Sequence, residues 1–121
     1  MTLMVTTYCR DPISGDFTDD PLPEKPGHAL AGFESWRTTV WGSEAAKRRG
    51  ARFLPQLADG DLYVEPEDLS AFADECTRLL EEVGGFATEV KADADHLRWD
   101  LQNLLRAVES AAPEVGGVHI G

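Results

Sequence analysis

Apolar side chains recur at helical spacing in the second half of the chain. Over residues 66–83 they repeat at intervals of three or four positions and form one stripe along an α-helix. The positions of this stripe are Leu69, Phe72, Ala73, Cys76, Leu79, Leu80 and Val83. Pro66 suits the first position of the helix, and the pair Gly84 and Gly85 is expected to end it. A second stripe of the same kind predicts a helix over residues 88–111.

Shorter runs of β-branched, aromatic and aliphatic residues predict strands over residues 2–9, 61–65 and 118–120. Residues 10–29 hold four of the seven prolines, which predicts a loop because proline lacks the backbone donor that helices and sheets use. A chain of 121 residues is the size of one domain. Residues 1–121 are therefore expected to form a single α+β domain, a small sheet packed against two long amphipathic helices.

An aromatic segment, residues 32–50, precedes these helices. Read as a helix, it collects several large side chains on one face. This face would hold Phe33, Trp36, Arg37, Val40 and Trp41. Ser43 suits the N-cap of a short helix over residues 44–49, which Gly50 would close. The segment is predicted to be mainly structural, and Arg37 is its candidate for a partner contact because it lies among aromatic side chains.

The charge of the chain is strongly negative and unevenly spread. The formal net charge is −11, and residues 59–121 hold fifteen acidic against four basic side chains. An acidic surface repels nucleic acid and attracts a basic protein, although many proteins are acidic for solubility alone. No nucleic acid is therefore expected as a partner. In the proline-rich segment, Asp16, Asp19 and Asp20 are candidate contacts with a basic protein.

Few residues suggest catalysis or a metal site. The sequence contains no P-loop, no HExxH and no GxSxG motif. Cys9 and Cys76 are expected to be free thiols, with Cys76 buried in the stripe of its helix. A dyad of Cys9 with His28 is conceivable, and a small cysteine-dependent or metal-dependent enzyme is kept as an alternative. An enzyme is disfavoured, and neither a cofactor nor a metal is expected.

The sequence shows no signal for export or for membrane insertion. Its beginning, MTLMVTTYCR, lacks the basic and apolar regions of a signal peptide, and its apolar runs are far too short to span a bilayer. A cytoplasmic location without a membrane partner is expected.

The second predicted helix also has a polar and aromatic side. Trp99 lies opposite the apolar stripe, and His96, Asp100, Asn103 and Arg106 share its side of the helix. Trp and Arg are enriched at binding hot spots, so His96, Trp99 and Asp100 are candidate partner contacts. The alternative is that Trp99 packs under the N-terminal loop or beside the sheet.

Three stretches of the chain together resemble a known group of proteins. They are AGFESWRTTVWGS, GARFLPQLADGDLYVEPEDL and LQNLLRAVESAAPEVGGVHIG. Together they resemble small acidic immunity-like proteins of actinobacteria and other bacteria, many of them encoded beside polymorphic or contact-dependent toxins. The resemblance covers residues 30–121. It implies an immunity protein that binds a cognate toxin, blocks its active site and has no catalytic residues. The alternative is a regulatory or adaptor module of a bacterial secretion or defence system.

Overall fold

The computed structural model describes residues 2–10, 17–20, 30–111 and 115–121. The predicted α+β class is confirmed: antiparallel strands form one sheet, and helices pack on one of its faces. The strands are β1 (Thr2–Arg10), β2 (Phe17–Asp20), β3 (Leu30–Phe33), β4 (Leu62–Val64) and β5 (Gly116–Ile120). The helices are α1 (Glu44–Arg48), α2 (Leu69–Glu81), α3 (Val83–Val90) and α4 (Ala94–Ser110). The three strands predicted from sequence correspond to β1, β4 and β5.

Strand β1 lies at the centre of the sheet. One side of β1 pairs with β5, which in turn pairs with β4. The other side pairs with β3 near the beginning of β1 and with β2 near its end. Side chains alternate along β1, so Leu3 and Val5 are fully buried whereas Met4 is 44% exposed. The same alternation places His119, the cross-strand neighbour of Thr6, on the sheet face that points away from the core.

Helix α4 packs on the buried face of the sheet, against β1, β3 and β5, and the amphipathic helix α2 packs against α4. The fully buried apolar side chains of these helices are Phe72, Cys76, Leu79, Leu97, Leu101, Leu104 and Ala107. Full burial of one large apolar side chain contributes about 1.5–3 kcal/mol, so this stripe decides which side of α4 faces the sheet. The prediction that Cys76 is buried is confirmed, and its burial raises the pKa of the Cys76 thiol well above the usual value.

A buried carboxylate on α2 holds the segment that follows α1. The side chain of Glu75 is almost fully buried, and it accepts hydrogen bonds from three consecutive backbone N–H groups. These bonds come from Arg52 at 2.5 Å, Phe53 at 3.0 Å and Leu54 at 2.9 Å. The three amides begin a short 3-10 helix, Leu54–Ala58, where no backbone acceptor is available to them. Glu75 therefore fixes this segment to α2.

The boundary between the two long helices differs from the prediction. Gly84 and Gly85 do not end a helix, because both lie within α3. Helix α2 ends before the glycines, at Glu81, and α3 begins at Val83. Helix α3 then ends before Lys91, whose φ of 59° is left-handed. Glycine in a helix costs about 1 kcal/mol, and α3 outweighs this cost by burying Val83 and Phe86. The predicted helix over 88–111 is thus divided between α3 and α4. None of the helices in the described ranges is long and apolar enough to cross a membrane.

The aromatic segment is not a continuous helix, contrary to the prediction. Phe33 ends β3, and Arg37–Trp41 form a π-helical turn. The indole of Trp41 is fully buried and donates a hydrogen bond to the carbonyl oxygen of Ala31 at 2.9 Å. The chain must reverse between the strand and the turn for this bond to form, so burial of the tryptophan overrides the helical periodicity.

The short helix after this turn is confirmed. The Ser43 hydroxyl accepts a hydrogen bond from the backbone N–H of Ala46 at 3.2 Å, as an N-cap should. Gly50 follows the helix with a φ of +88°, a left-handed conformation that favours glycine. The basic side chains at the end of α1 have a structural role, since Arg48 and Arg49 both pair with Glu89 of α3.

The loop predicted over residues 10–29 is wrong for five of its residues, because Arg10 ends β1 and Phe17–Asp20 form strand β2. Asp19 and Asp20 lie opposite Tyr8 and Thr7 of β1 in the register. Pairing with β1 supplies the backbone partners that make this short polar segment a strand, and no local sequence signal indicates it. Asp16 lies outside the described residues, as do the prolines of this segment.

Candidate functional site

The polar side of α4 packs against strand β3. Asp100 and Asn103 are fully buried at this contact although both are polar. The side-chain amide of Asn103 donates a hydrogen bond to the carbonyl oxygen of Leu30 at 2.7 Å, which fastens the helix to the strand. His96 lies one turn before Asp100 and is 38% exposed. The structure thus brings together two of the predicted contacts, His96 and Asp100, where α4 meets β3.

The carboxylate of Asp100 has an unusual environment. His96 Nε2 lies 3.1 Å from Asp100 Oδ2, close enough for an ion pair. Yet neither carboxylate oxygen has hydrogen-bond geometry with any group in the described part of the chain. Burial raises the pKa of Asp100 to about 6, and the nearby His96 only partly opposes this shift. Buried polar atoms in folded proteins are nearly always hydrogen-bonded, so Asp100 is an exception that calls for an explanation.

Two aromatic rings surround His96. The ring centroid of His96 lies 5.2 Å from that of Phe33 and 5.1 Å from that of Trp36, and the two aromatic rings are 5.7 Å apart. Phe33 is 47% exposed, whereas Trp36 is buried. This packing depends on Gly32, whose φ is +101° and where a Cβ atom would lie 2.3 Å from the Trp36 ring. The glycine therefore lets the indole lie directly on the backbone of β3.

Trp99 lies one turn after His96 on the surface of α4. It is 40% exposed, and the guanidinium of Arg106 lies 5.0 Å from its ring centroid. Arg106 also donates to the side-chain oxygen of Asn103, so it connects the tryptophan to the buried end of the cluster. We call Phe33, His96 and Trp99 the aromatic surface, since all three rings are partly exposed, Phe33 contacts His96, and Trp99 follows His96 by one turn of α4.

Arg37 lies in a different environment from His96. Its guanidinium donates to Glu34 at 2.5 Å, to the carbonyl oxygens of Leu57 and Gly60 at 3.2 and 2.7 Å, and to Asp61 at 2.8 Å. Hydrogen bonds with Glu34 and then Asp61 raise the pKa of Arg37, and the bond from Arg37 is the main reason that the pKa of Asp61 is lowered. Arg37 thus ties the π-helical turn to the segment before β4.

Two of the acidic candidates, Asp19 and Asp20, lie on a different strand from Phe33 of the aromatic surface. Strand β2, which contains Asp19 and Asp20, pairs with the end of β1, whereas β3 pairs with its beginning. The side chains of these two aspartates, and Asp16 as a whole, fall outside what the structure describes. The candidates predicted from sequence therefore do not form one site.

Sequence reasoning missed several residues of these sites. Phe33 and Trp36 were expected to anchor a helix in the core, and their contact with His96 arises from the turn after β3. His119 was not singled out, yet its ring stacks on Tyr63 at 4.3 Å and its Nε2 lies 3.1 Å from Asp61 Oδ2. Tyr63 of β4 and His119 of β5 are cross-strand neighbours, so their side chains lie on the same face of the sheet. The signal that could have found them is the alternation of apolar and polar residues along these two strands.

The groups of the aromatic surface are of kinds that can contact a cationic or an apolar partner. Aromatic faces and a carboxylate attract cations, and exposed rings bury a large area when a partner covers them. Within the described ranges, no group of three or more His, Cys, Asp or Glu side chains could hold a metal ion. Both cysteines are free thiols, as predicted.

Comparison of the chain with protein-family profiles, with curated proteins and with solved structures gave no match. The resemblance to immunity-like proteins therefore remains a prediction.

Proposed function

We propose that this protein is a non-catalytic binding protein that neutralises a basic toxin domain as its cognate partner. The observation that supports the binding role is the aromatic surface, where Phe33, His96 and Trp99 expose their rings and His96 lies against a buried carboxylate that lacks hydrogen bonds. The identification of the partner as a toxin rests on the resemblance described above. An immunity protein of this kind would cover the toxin's active site or its path for substrate.

Charge supports a basic partner. The net charge of −11 would steer a basic protein toward the surface and raise the rate of association. The aromatic rings would supply the affinity, because a few large side chains near the centre of an interface carry most of its binding energy. The net charge thus indicates a basic partner, and the aromatic surface indicates where on this protein the partner would bind.

A second exposed surface favours the adaptor alternative. Tyr63 is 49% exposed and stacks on His119, on the sheet face turned away from the core. An adaptor needs two surfaces that can be occupied at once, and Tyr63 with His119 would provide the second one. An immunity protein needs one surface only.

Co-expression with the product of the adjacent open reading frame tests the proposal. We expect that product to be toxic alone, and to be tolerated and co-purified when this protein is present. The double variant Phe33→Ala and Trp99→Ala should lose both protection and the complex. Tyr63→Ala, which removes an equally exposed ring, is the matched control and should retain them. Absence of toxicity and of a complex would refute the immunity role. Loss of binding in Tyr63→Ala alone would move the interface to the sheet face.

A further inference from the structure

The carboxylate of Asp100 lacks hydrogen bonds, which distinguishes it from the other acids that the structure resolves in detail. Glu75, which is equally buried, accepts three backbone hydrogen bonds. Asp61 and Glu89 each have an arginine partner. In the described part of the chain, Asp100 is the one buried carboxylate whose two oxygens both lack a hydrogen bond. This pattern is expected of a group whose partner comes from another molecule.

We propose that the carboxylate of Asp100 binds one cationic side chain, an arginine or a lysine of the partner protein. In the free protein the His96 ring occupies the position of this cation. The inference rests on the proposed function for the source of the cation, and it names the chemistry that the aromatic surface recognises. A guanidinium or ammonium group offers several N–H donors, which would satisfy both oxygens of the carboxylate.

The position of His96 supports this arrangement. The His96 ring lies 3.1 Å from Asp100 Oδ2 and is itself 38% exposed, so this ring lies between the buried carboxylate and the solvent. A change in the His96 side-chain torsions would uncover that oxygen without moving α4. No other basic side chain is directed at Asp100 in the described ranges, since Arg106 is held by Trp99 and Asn103.

The surrounding rings would stabilise a bound cation. Phe33 and Trp36 both contact the His96 ring, so a cation that displaced this ring would lie beside these two aromatic rings. Aromatic faces attract cations through their quadrupole, most strongly when water is excluded. A carboxylate below and two rings beside the site form a receptor for a side-chain cation. The net negative charge of the protein would attract a basic partner from a distance, and Asp100 would be the position at which one of its cations binds.

The first test is a titration of the free protein with N-acetylarginine amide. Binding is monitored by NMR of the histidine ring protons and the tryptophan indole protons. We expect saturable shifts at His96 and Trp36 in the wild type, and no such shifts in Asp100→Asn. Asp95→Asn is the matched control, because Asp95 lies in the same helix and its side chain is 92% exposed. Equal shifts in wild type and Asp100→Asn, or no shift in the wild type, would overturn the inference.

The complex with the adjacent gene product provides the second test. If it forms, Asp100→Asn should weaken it by about 30-fold or more, the loss typical of removing one partner of a buried charge pair. Asp95→Asn should leave the affinity within about threefold of wild type, as expected for an exposed charge. An unchanged affinity in Asp100→Asn would overturn the inference and leave the proposed function intact. If no complex forms, the proposed function fails, and the titration still decides whether Asp100 binds a cation.

Discussion

Replacement of Asp100 by asparagine should make the protein more stable at neutral pH. The two side chains are nearly isosteric, so the substitution removes the charge and leaves the packing unchanged. Asp100 is fully buried, and its ionised form lacks hydrogen bonds from the described residues. Natural proteins often keep such costly groups where binding or catalysis requires them. A stability gain in Asp100→Asn would therefore indicate that the acid is present for function.

The size of the gain follows from the pKa of Asp100. Folding raises this pKa from 3.8 to about 6. One unit corresponds to 1.36 kcal/mol, so ionisation of Asp100 lowers the free energy of unfolding by about 3 kcal/mol. Because the folded state holds the proton more tightly, the contribution of Asp100 to stability is complete below pH 3.8 and is lost as the pH rises through about 6. Asp100→Asn should show no such loss.

Urea unfolding, followed by tryptophan fluorescence at pH values from below 3.8 to above 6, measures this difference. We expect the two curves of stability against pH to coincide at the acidic end and to separate by about 3 kcal/mol above pH 6. Asp95→Asn should run parallel to the wild type. If Asp100→Asn were no more stable than the wild type above pH 6, the carboxylate would have a stabilising partner and the reasoning would be wrong.

Two further predictions concern the framework of the site. Glu75→Ala should lower the free energy of unfolding by at least about 3 kcal/mol in urea titrations, because three backbone N–H groups lose their acceptor. Glu75→Gln keeps one acceptor oxygen and should lose less, and equal losses would contradict this account. Gly32→Ala should destabilise the fold and raise the exposure of Trp36, since the new Cβ atom would lie 2.3 Å from its ring. A Cβ atom added at Gly84, within α3, would have no atom within 4 Å. Gly84→Ala should therefore raise the melting temperature, with a gain in the free energy of unfolding of up to about 1 kcal/mol. The steric argument would be refuted if Gly84→Ala lowered the melting temperature, or if Gly32→Ala left it unchanged.

Local patterns in the sequence were sufficient to predict most of the elements. The apolar stripe of α2 recurs at helical spacing, and its buried residues Phe72, Cys76 and Leu79 are those of the predicted stripe. Ser43 as the cap of α1 was also predictable, because capping needs only a side-chain oxygen and a nearby backbone N–H. Periodicity likewise placed His96 and Asp100 on one side of a helix, since residues four apart are neighbours there.

Tertiary contacts decided the rest. Pairing with β1 makes Phe17–Asp20 a strand, and burial of Val83 and Phe86 carries α3 through two glycines. These contacts join residues far apart in the chain, so no local window contains them. The same holds for the candidate site. The sequence by itself determined that Asp100 lies on the polar side of its helix. Only the packing of β3 against α4 removed that carboxylate from water, and this loss of solvation raises its pKa and makes it a candidate binding residue.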